Sequence, residues 1–265
     1  TQTMKNETIL ALAFMLSFST VNGQTAKPTV NRAKSTVPSR VSTVKKASFP
    51  SATAQRMAQQ GLVNIKDIDP TIKTALMYAR TDNFCHKVLY KDLREAYLLP
   101  NCAKALKRAQ KELKRRRPDL SLVIFDATRP MSVQQTMWDE VKRTNHSFYV
   151  SNPANGGGMH NYGMAVDISI CKNSWDDTTW RDGAQKCRID TLPMGAKVDH
   201  MGHRSHIGQE ASLLAKGLLT KEALANRKLL RTVMESAGFT PLRTEWWHFN
   251  LCTRAWARRN LKAVR

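Results

Sequence analysis

From Ala52 onward the chain alternates between two rhythms of apolar residues. In NCAKALKRAQKELKRRRP, residues 101–118, Ala103, Leu106, Ala109 and Leu113 recur every three or four positions. That is the spacing of one helix face, and Pro118 supplies the stop. LTKEALANRKLLRTVMESAG, residues 219–238, repeats the pattern through Leu224, Leu229, Leu230 and Val233, with Gly238 as the residue after the C-cap. LSLVIF, residues 120–125, is a β-rich run ending at Asp126; Pro130 blocks its continuation, and SVQQTMWDEVKRT restarts as a helix with Ser132 as N-cap. NIKDIDPTIKTALMYA reads as a polar loop entering a short extended segment, closed by the turn residues of TDNF. GGGMHNYGMAVDISI, residues 156–170, reads as a tight turn running into a strand, and FTPLRTEWWHFNLC, residues 239–252, as a closing strand with a basic tail after it. Residues 171–210 are polar and long enough to suggest a functional loop.

Before this region the pattern changes twice. ILALAFMLSFS is an apolar run preceded by Lys5 and followed by the small residues of TVNGQ, the layout of a secretory signal over residues 1–23. It is too short to span a bilayer, which takes about 20 apolar residues; an N-terminal helix of the domain is the alternative. Residues 24–50 hold six Lys/Arg, three Pro and no acid, so they read as a basic disordered linker. Residues 51–265 remain for a single domain.

Composition then narrows the partners. The 265 residues carry a formal charge of +21, and the expected signal contributes one Lys and one Glu, so its removal leaves that charge unchanged. Nucleic acid is the usual partner of such a charge, but export argues against it and favours anionic wall polymers or envelope surfaces. The alternative is a basic surface that serves solubility alone. The five cysteines show no C-x-x-C, which excludes zinc-finger spacing. In an oxidising compartment Cys171–Cys187 is the first pairing expected and Cys85–Cys102 the second.

Asp167 sits inside an apolar run, between Val166 and Ile168. A buried free carboxylate is costly, so this one should be paired, strongly hydrogen-bonded or bound to a metal. His160, Asp167 and His248 together offer two imidazoles and a carboxylate, ligands that zinc accepts, with a fourth position left for water. Glu245 then suits the base for that water, and Arg129 a fixed cation for an oxyanion. Glu245 and His248 are three apart, so on a regular strand they would face opposite sides; for both to serve one site, Glu245 must lie in the loop before the strand or at a bulge. The remaining histidines, His86, His146, His200, His203 and His206, suit the surface or the surroundings of the site, and Trp246 and Trp247 the core and pocket wall.

The ordered set DNF, DATRP, GMHNYGMAVDISI, PMGAKVD, RSH, NRKLLRTVMESAGF and EWWHF resembles the VanX-type D-alanyl-D-alanine dipeptidases of the zinc D-Ala-D-Ala peptidase family, over roughly residues 62–252. The resemblance implies a single-domain, hedgehog-like α+β fold, with a mixed or antiparallel central sheet flanked by helices. It implies one Zn2+ on His160, Asp167 and His248, Glu245 as general base, and Arg129 polarising the scissile carbonyl. It also implies an acidic, hydroxyl-bearing wall for the substrate amine, at Tyr78, Asp126 and Asp199. The chain departs from the family pattern at Gly158, where a serine is usual, and at Tyr162, where an arginine is common. The expected activity is hydrolysis of D-Ala-D-Ala by an exported enzyme, in peptidoglycan turnover or salvage. A D,D-carboxypeptidase acting on longer wall peptides and a wall-binding module with structural zinc are the alternatives.

Overall fold

The computed structural model describes residues 50–177 and 189–265. The expected signal segment, and the expected linker up to residue 49, lie outside the described residues. Among the described residues no helix is long and apolar enough to cross a membrane.

The order of elements is α1 (Ala52–Gln59), β1 (Val63–Asn64), α2 (Ile65–Ile68), β2 (Lys73–Thr74), β3 (Tyr97–Leu98), α3 (Pro100–Arg116), β4 (Leu120–Asp126), α4 (Met131–Val141) and β5 (Ala165–Lys172), then α5 (Glu210–Ala215), α6 (Lys221–Ser236), β6 (Thr240–Leu242), β7 (Glu245–Asn250) and α7 (Arg254–Asn260). Five strands form one sheet in the order β2-β4-β5-β7-β6, with β2 parallel to β4 and the remaining pairs antiparallel. The expected α+β fold with a mixed sheet is what the chain adopts. β1 and β3 form a separate antiparallel pair.

The long helices form where their apolar stripes meet the sheet. In α3, Cys102, Leu106, Ala109 and Leu113 are completely buried. Pro100 at the first turn has the backbone angle a helix start needs, and Lys114, Arg115 and Arg116 place positive charge at the negative end of the helix dipole. α6 starts on Thr220, whose Oγ1 accepts from Ala223 N at 3.0 Å, and ends before Gly238 at φ +94°, as its sequence predicted. α3 and α6 pack on each other, and Leu230, Val233 and Met234 of α6 are buried in the same core as β4 and β5.

One sequence expectation about helix ends is corrected. α4 begins at Met131 with Pro130 as its N-cap, not at Ser132. The backbone N–H of Met131 donates to the carbonyl of Val264 at 2.9 Å, so a distant backbone group does what a capping side chain would. The basic tail is ordered: it forms α7 and returns to place Val264 in the core, with Val264 N donating to Asn161 O at 2.7 Å. Nor do Cys85 and Cys102 pair; both are free, buried thiols, Cys102 in the packed face of α3. Cys171 is likewise a free, buried thiol, and Cys187 lies outside the described residues.

Candidate metal centre and substrate cleft

Strand register assembles the centre. Asp167 of β5 stands directly opposite His248 of β7, and beyond a register shift after Ile124, Asp126 of β4 stands opposite Asp167. Three polar side chains thus form one row across three neighbouring strands, at separations where side chains on one face meet. His160 enters from the turn before β5. Gly156 and Gly157 take left-handed backbone there, at φ +78° and +65°, whereas Gly158 is in an ordinary extended conformation at φ −108°. A Cβ on Gly157 would lie 2.3 Å from Asn161 Oδ1, so only glycine fits. The turn is locked to the strand-to-helix junction: Arg129 N donates to His160 O at 3.1 Å and Asn161 Nδ2 to Arg129 O at 2.8 Å.

The three expected ligands converge. His160 Nε2 is 3.2 Å from His248 Nδ1 and 3.3 Å from Asp167 Oδ1, and His248 Nδ1 is 2.9 Å from Asp167 Oδ1. Donors bound at about 2.0–2.1 Å to a tetrahedral ion stand about 3.3 Å apart, so this triangle matches one face of a zinc tetrahedron. The tautomers agree. His160 Nδ1 donates to the carbonyl of Ala127 at 2.6 Å and His248 Nε2 to Asn250 Oδ1 at 2.9 Å, which leaves the bare lone pairs of the other two nitrogens facing each other. Two lone pairs beside a carboxylate repel unless a cation lies between them, so the donor set fits the metal.

Glu245 lies where the spacing required. Between Pro241 and Leu242 the β6–β7 register shifts, and past this bulge Glu245 Oε2 comes within 3.9 Å of His248 Nδ1. Burial, with the negative charges of Asp167 and Asp199, pushes its carboxyl up to about 7 against the pull of His248. Arg129 is buried and held on three sides: Nε and Nη2 donate to Asp126 Oδ2 at 3.0 and 2.6 Å, Nη1 donates to Gln134 Oε1 at 2.9 Å, and its guanidinium lies 5.0 Å over the ring of Tyr78. Nη2 is also 3.9 Å from Asp167 Oδ2. Burial works against its charge, yet Asp126 and the phenols of Tyr78 and Tyr90 leave its pKa raised.

The three residues expected at the amine wall separate. Tyr78 and Asp199 line the cavity and are joined, Tyr78 Oη donating to Asp199 Oδ1 at 2.9 Å. Asp199 also accepts from Phe84 N at 2.7 Å and takes a left-handed backbone at φ +71°, a conformation that aspartate tolerates better than most residues. Burial pushes its carboxyl up to about 7, further than the bonds from Phe84 and Tyr78 pull it down. Asp126 does not line the cavity. It is completely buried behind Arg129, with Tyr90 Oη donating to Oδ1 at 2.5 Å, and it fixes the arginine where substrate contact was expected.

Sequence reasoning missed Gln134, Asn250 and Arg227. Asn250 was within reach, because i and i+2 share a strand face and His248 needed a partner for its outer nitrogen. Arg227 is completely buried in α6 and pins both ends of the stretch carrying Asp199, with Nε to Met194 O at 2.7 Å and Nη2 to Arg204 O at 2.8 Å. The departure at Gly158 also has a structural counterpart: Ser151 Oγ lies 3.1 Å from where a Cβ on Gly158 would stand. His206 contacts Tyr149, with Oη and Nε2 at 2.9 Å. The cavity lined by the metal triangle, Glu245, Arg129, Tyr78 and Asp199 holds about 520 Å³, within the range of small-molecule sites.

Residues 58–264 match the model of the D-ala-D-ala dipeptidase family. A D-alanyl-D-alanine dipeptidase of Escherichia coli (strain K12) is 30% identical over 193 residues, covering 72% of this chain and 84% of its own. One of Synechocystis sp. is 27% identical, over 62% of this chain and 73% of its own, and one of Enterococcus faecium is 34% identical over 95 residues, 36% of its length. With its metal-binding triangle intact and the match running through the whole described domain, the chain belongs to the zinc-dependent D-ala-D-ala dipeptidase family.

Proposed function

We propose that this chain hydrolyses the D-alanyl-D-alanine dipeptide to two D-alanines. One observation carries the reading: a three-ligand metal triangle shares a small cavity with a partly buried glutamate, a buried arginine and an acidic wall. His160, Asp167 and His248 would hold the zinc, which would supply Lewis acidity to water and to the scissile carbonyl. Glu245 takes a proton from the attacking water and delivers it to the nitrogen as the C–N bond breaks, a task that suits a carboxyl poised near neutral pH. Arg129 faces the carbonyl oxygen as it becomes negative; already oriented by Asp126 and Gln134, it needs no rearrangement. Tyr78 and Asp199 receive the ammonium group. A longer wall peptide would bring an amide to Asp199 in place of that cation, which favours a free dipeptide.

The apolar N-terminal run and the basic stretch after it support export to the periplasm or cell envelope, and the +21 charge supports association with anionic wall material. Within that setting the reaction serves peptidoglycan turnover or salvage. Amine release from D-Ala-D-Ala by zinc-loaded protein, run beside Glu245→Ala and beside L-Ala-L-Ala, tests the reaction. Turnover of the D,D-dipeptide alone, lost in the variant, is expected; equal turnover of both dipeptides, or none by the unaltered protein, would reject it.

A further inference from the structure

The cavity opens into two neighbouring grooves, and a different charged side chain stands at each junction. One groove is reached past Phe84 and Asp199, and the carboxylate of Asp199 stands in that mouth. The other is reached past Val150, Ser151 and Arg254, and there the charge is the guanidinium of Arg254. Arg254 Nη2 donates to Gly157 O at 2.5 Å, which ties α7 to the turn that presents His160. Arg258, one helical turn further, lies against the same turn, its Nε 3.2 Å from where a Cβ on Gly156 would stand. Among the described residues neither guanidinium has a carboxylate within ion-pair distance. Both side chains are exposed, and an anion arriving at the mouth meets two adjoining guanidinium groups that are not already neutralised by a carboxylate. Ser151 adds a hydroxyl at the same place.

We propose that Arg254, reinforced by Arg258 and Ser151, forms the subsite for the free carboxylate of the substrate's second residue. The inference rests on the dipeptide reading above and gives it a direction. The amine lies at Asp199, the carboxylate at Arg254, and the scissile bond between them beside Arg129 and Glu245. Selection for a short zwitterion then comes from two charges at two mouths, and a helix that the sequence did not announce supplies one of them.

Binding separates this inference from the reaction. D-Ala-D-Ala and its C-terminal amide are titrated by calorimetry into the zinc-loaded Glu245→Gln protein, with Arg254 intact, as Arg254→Ala and as Arg254→Lys. Losing a charge-assisted hydrogen bond should weaken the free acid about 10- to 100-fold in Arg254→Ala and leave the amide unchanged. Arg254→Lys should keep part of the preference for the acid. If Arg254→Ala weakens acid and amide alike, the residue only braces the Gly157 turn and the inference falls. It falls too if the intact protein binds the two ligands equally or binds neither. A carboxylate preference in a chain that proves inactive on D-Ala-D-Ala would retain the subsite and reject the dipeptidase reading.

Discussion

The two halves of the cleft are built differently. The metal half rests on the sheet: Asp167 and His248 are cross-strand neighbours, and Asn250, two residues along β7, fixes the outer nitrogen of His248. The substrate half rests on irregular segments, each secured by a buried or tethered arginine. Arg227 holds the stretch around Asp199, and Arg254 grips the turn at Gly157. Changes on the sheet should therefore act through metal and chemistry, and changes on the loops through substrate affinity.

The largest effect expected is that of His248→Ala. Removing one donor opens the triangle, so zinc content should fall with activity, and the loss of Lewis acidity is worth about 10³-fold or more in kcat. Metal analysis after dialysis checks this; full zinc retention would break the contrast between the halves. Arg227→Ala should cost about 3 kcal/mol in denaturant unfolding, because the carbonyls of Met194 and Arg204 lose a buried donor. Its kinetic signature is a raised KM with kcat and zinc content preserved. A fall in zinc would mean that the Asp199 stretch also supports the metal half.

A smaller and pH-dependent effect is expected at Asp199. Its folded pKa, about 7, lies above the ordinary carboxylate value, so the folded state binds more protons between the two values and stability declines as pH rises through that window. Asp199→Asn should reduce this slope to the part that Glu245, raised to the same range, supplies, and be more stable above pH 7 by about 1–2 kcal/mol once partial solvent screening is allowed for. The same substitution should raise KM for the dipeptide about tenfold through loss of a charged partner. Matched unfolding curves at acid and neutral pH, with KM from initial rates, test both; a variant whose stability keeps the full pH slope of the unaltered protein would assign that slope to Glu245 alone.

What the sequence revealed follows the same division. Asp167 was conspicuous because an acid in an apolar strand must be paired, strongly hydrogen-bonded or bound to a metal, and Glu245 because an E-x-x-H spacing can serve one site only from the loop before the strand or across a bulge. The β4 and β5 strands and the α3 and α6 helices were legible because long apolar runs and stripes leave few alternatives. α7 was not: its seven residues bury only Ala257, too little apolar periodicity to mark a helix. The role of Asp126 was equally hidden, since its chemistry suits an amine partner and only its complete burial behind Arg129 shows otherwise. The cap on α4 comes from the carbonyl of Val264, a main-chain group that any residue would offer, so no side-chain signal could announce it.

The pairing of Asp167 with His248 joins positions 81 residues apart. An ion held between them is a cross-link that closes a long loop, formed only once the strands have found each other. Cys85, Cys102, Cys171 and Cys252 are all unpaired, so among the described residues no disulfide does this work. Resistance to unfolding should then follow the supply of free zinc, rising with its concentration and falling wherever a competitor strips it away. Metal scarcity would shorten the lifetime of the folded protein as well as stop its chemistry.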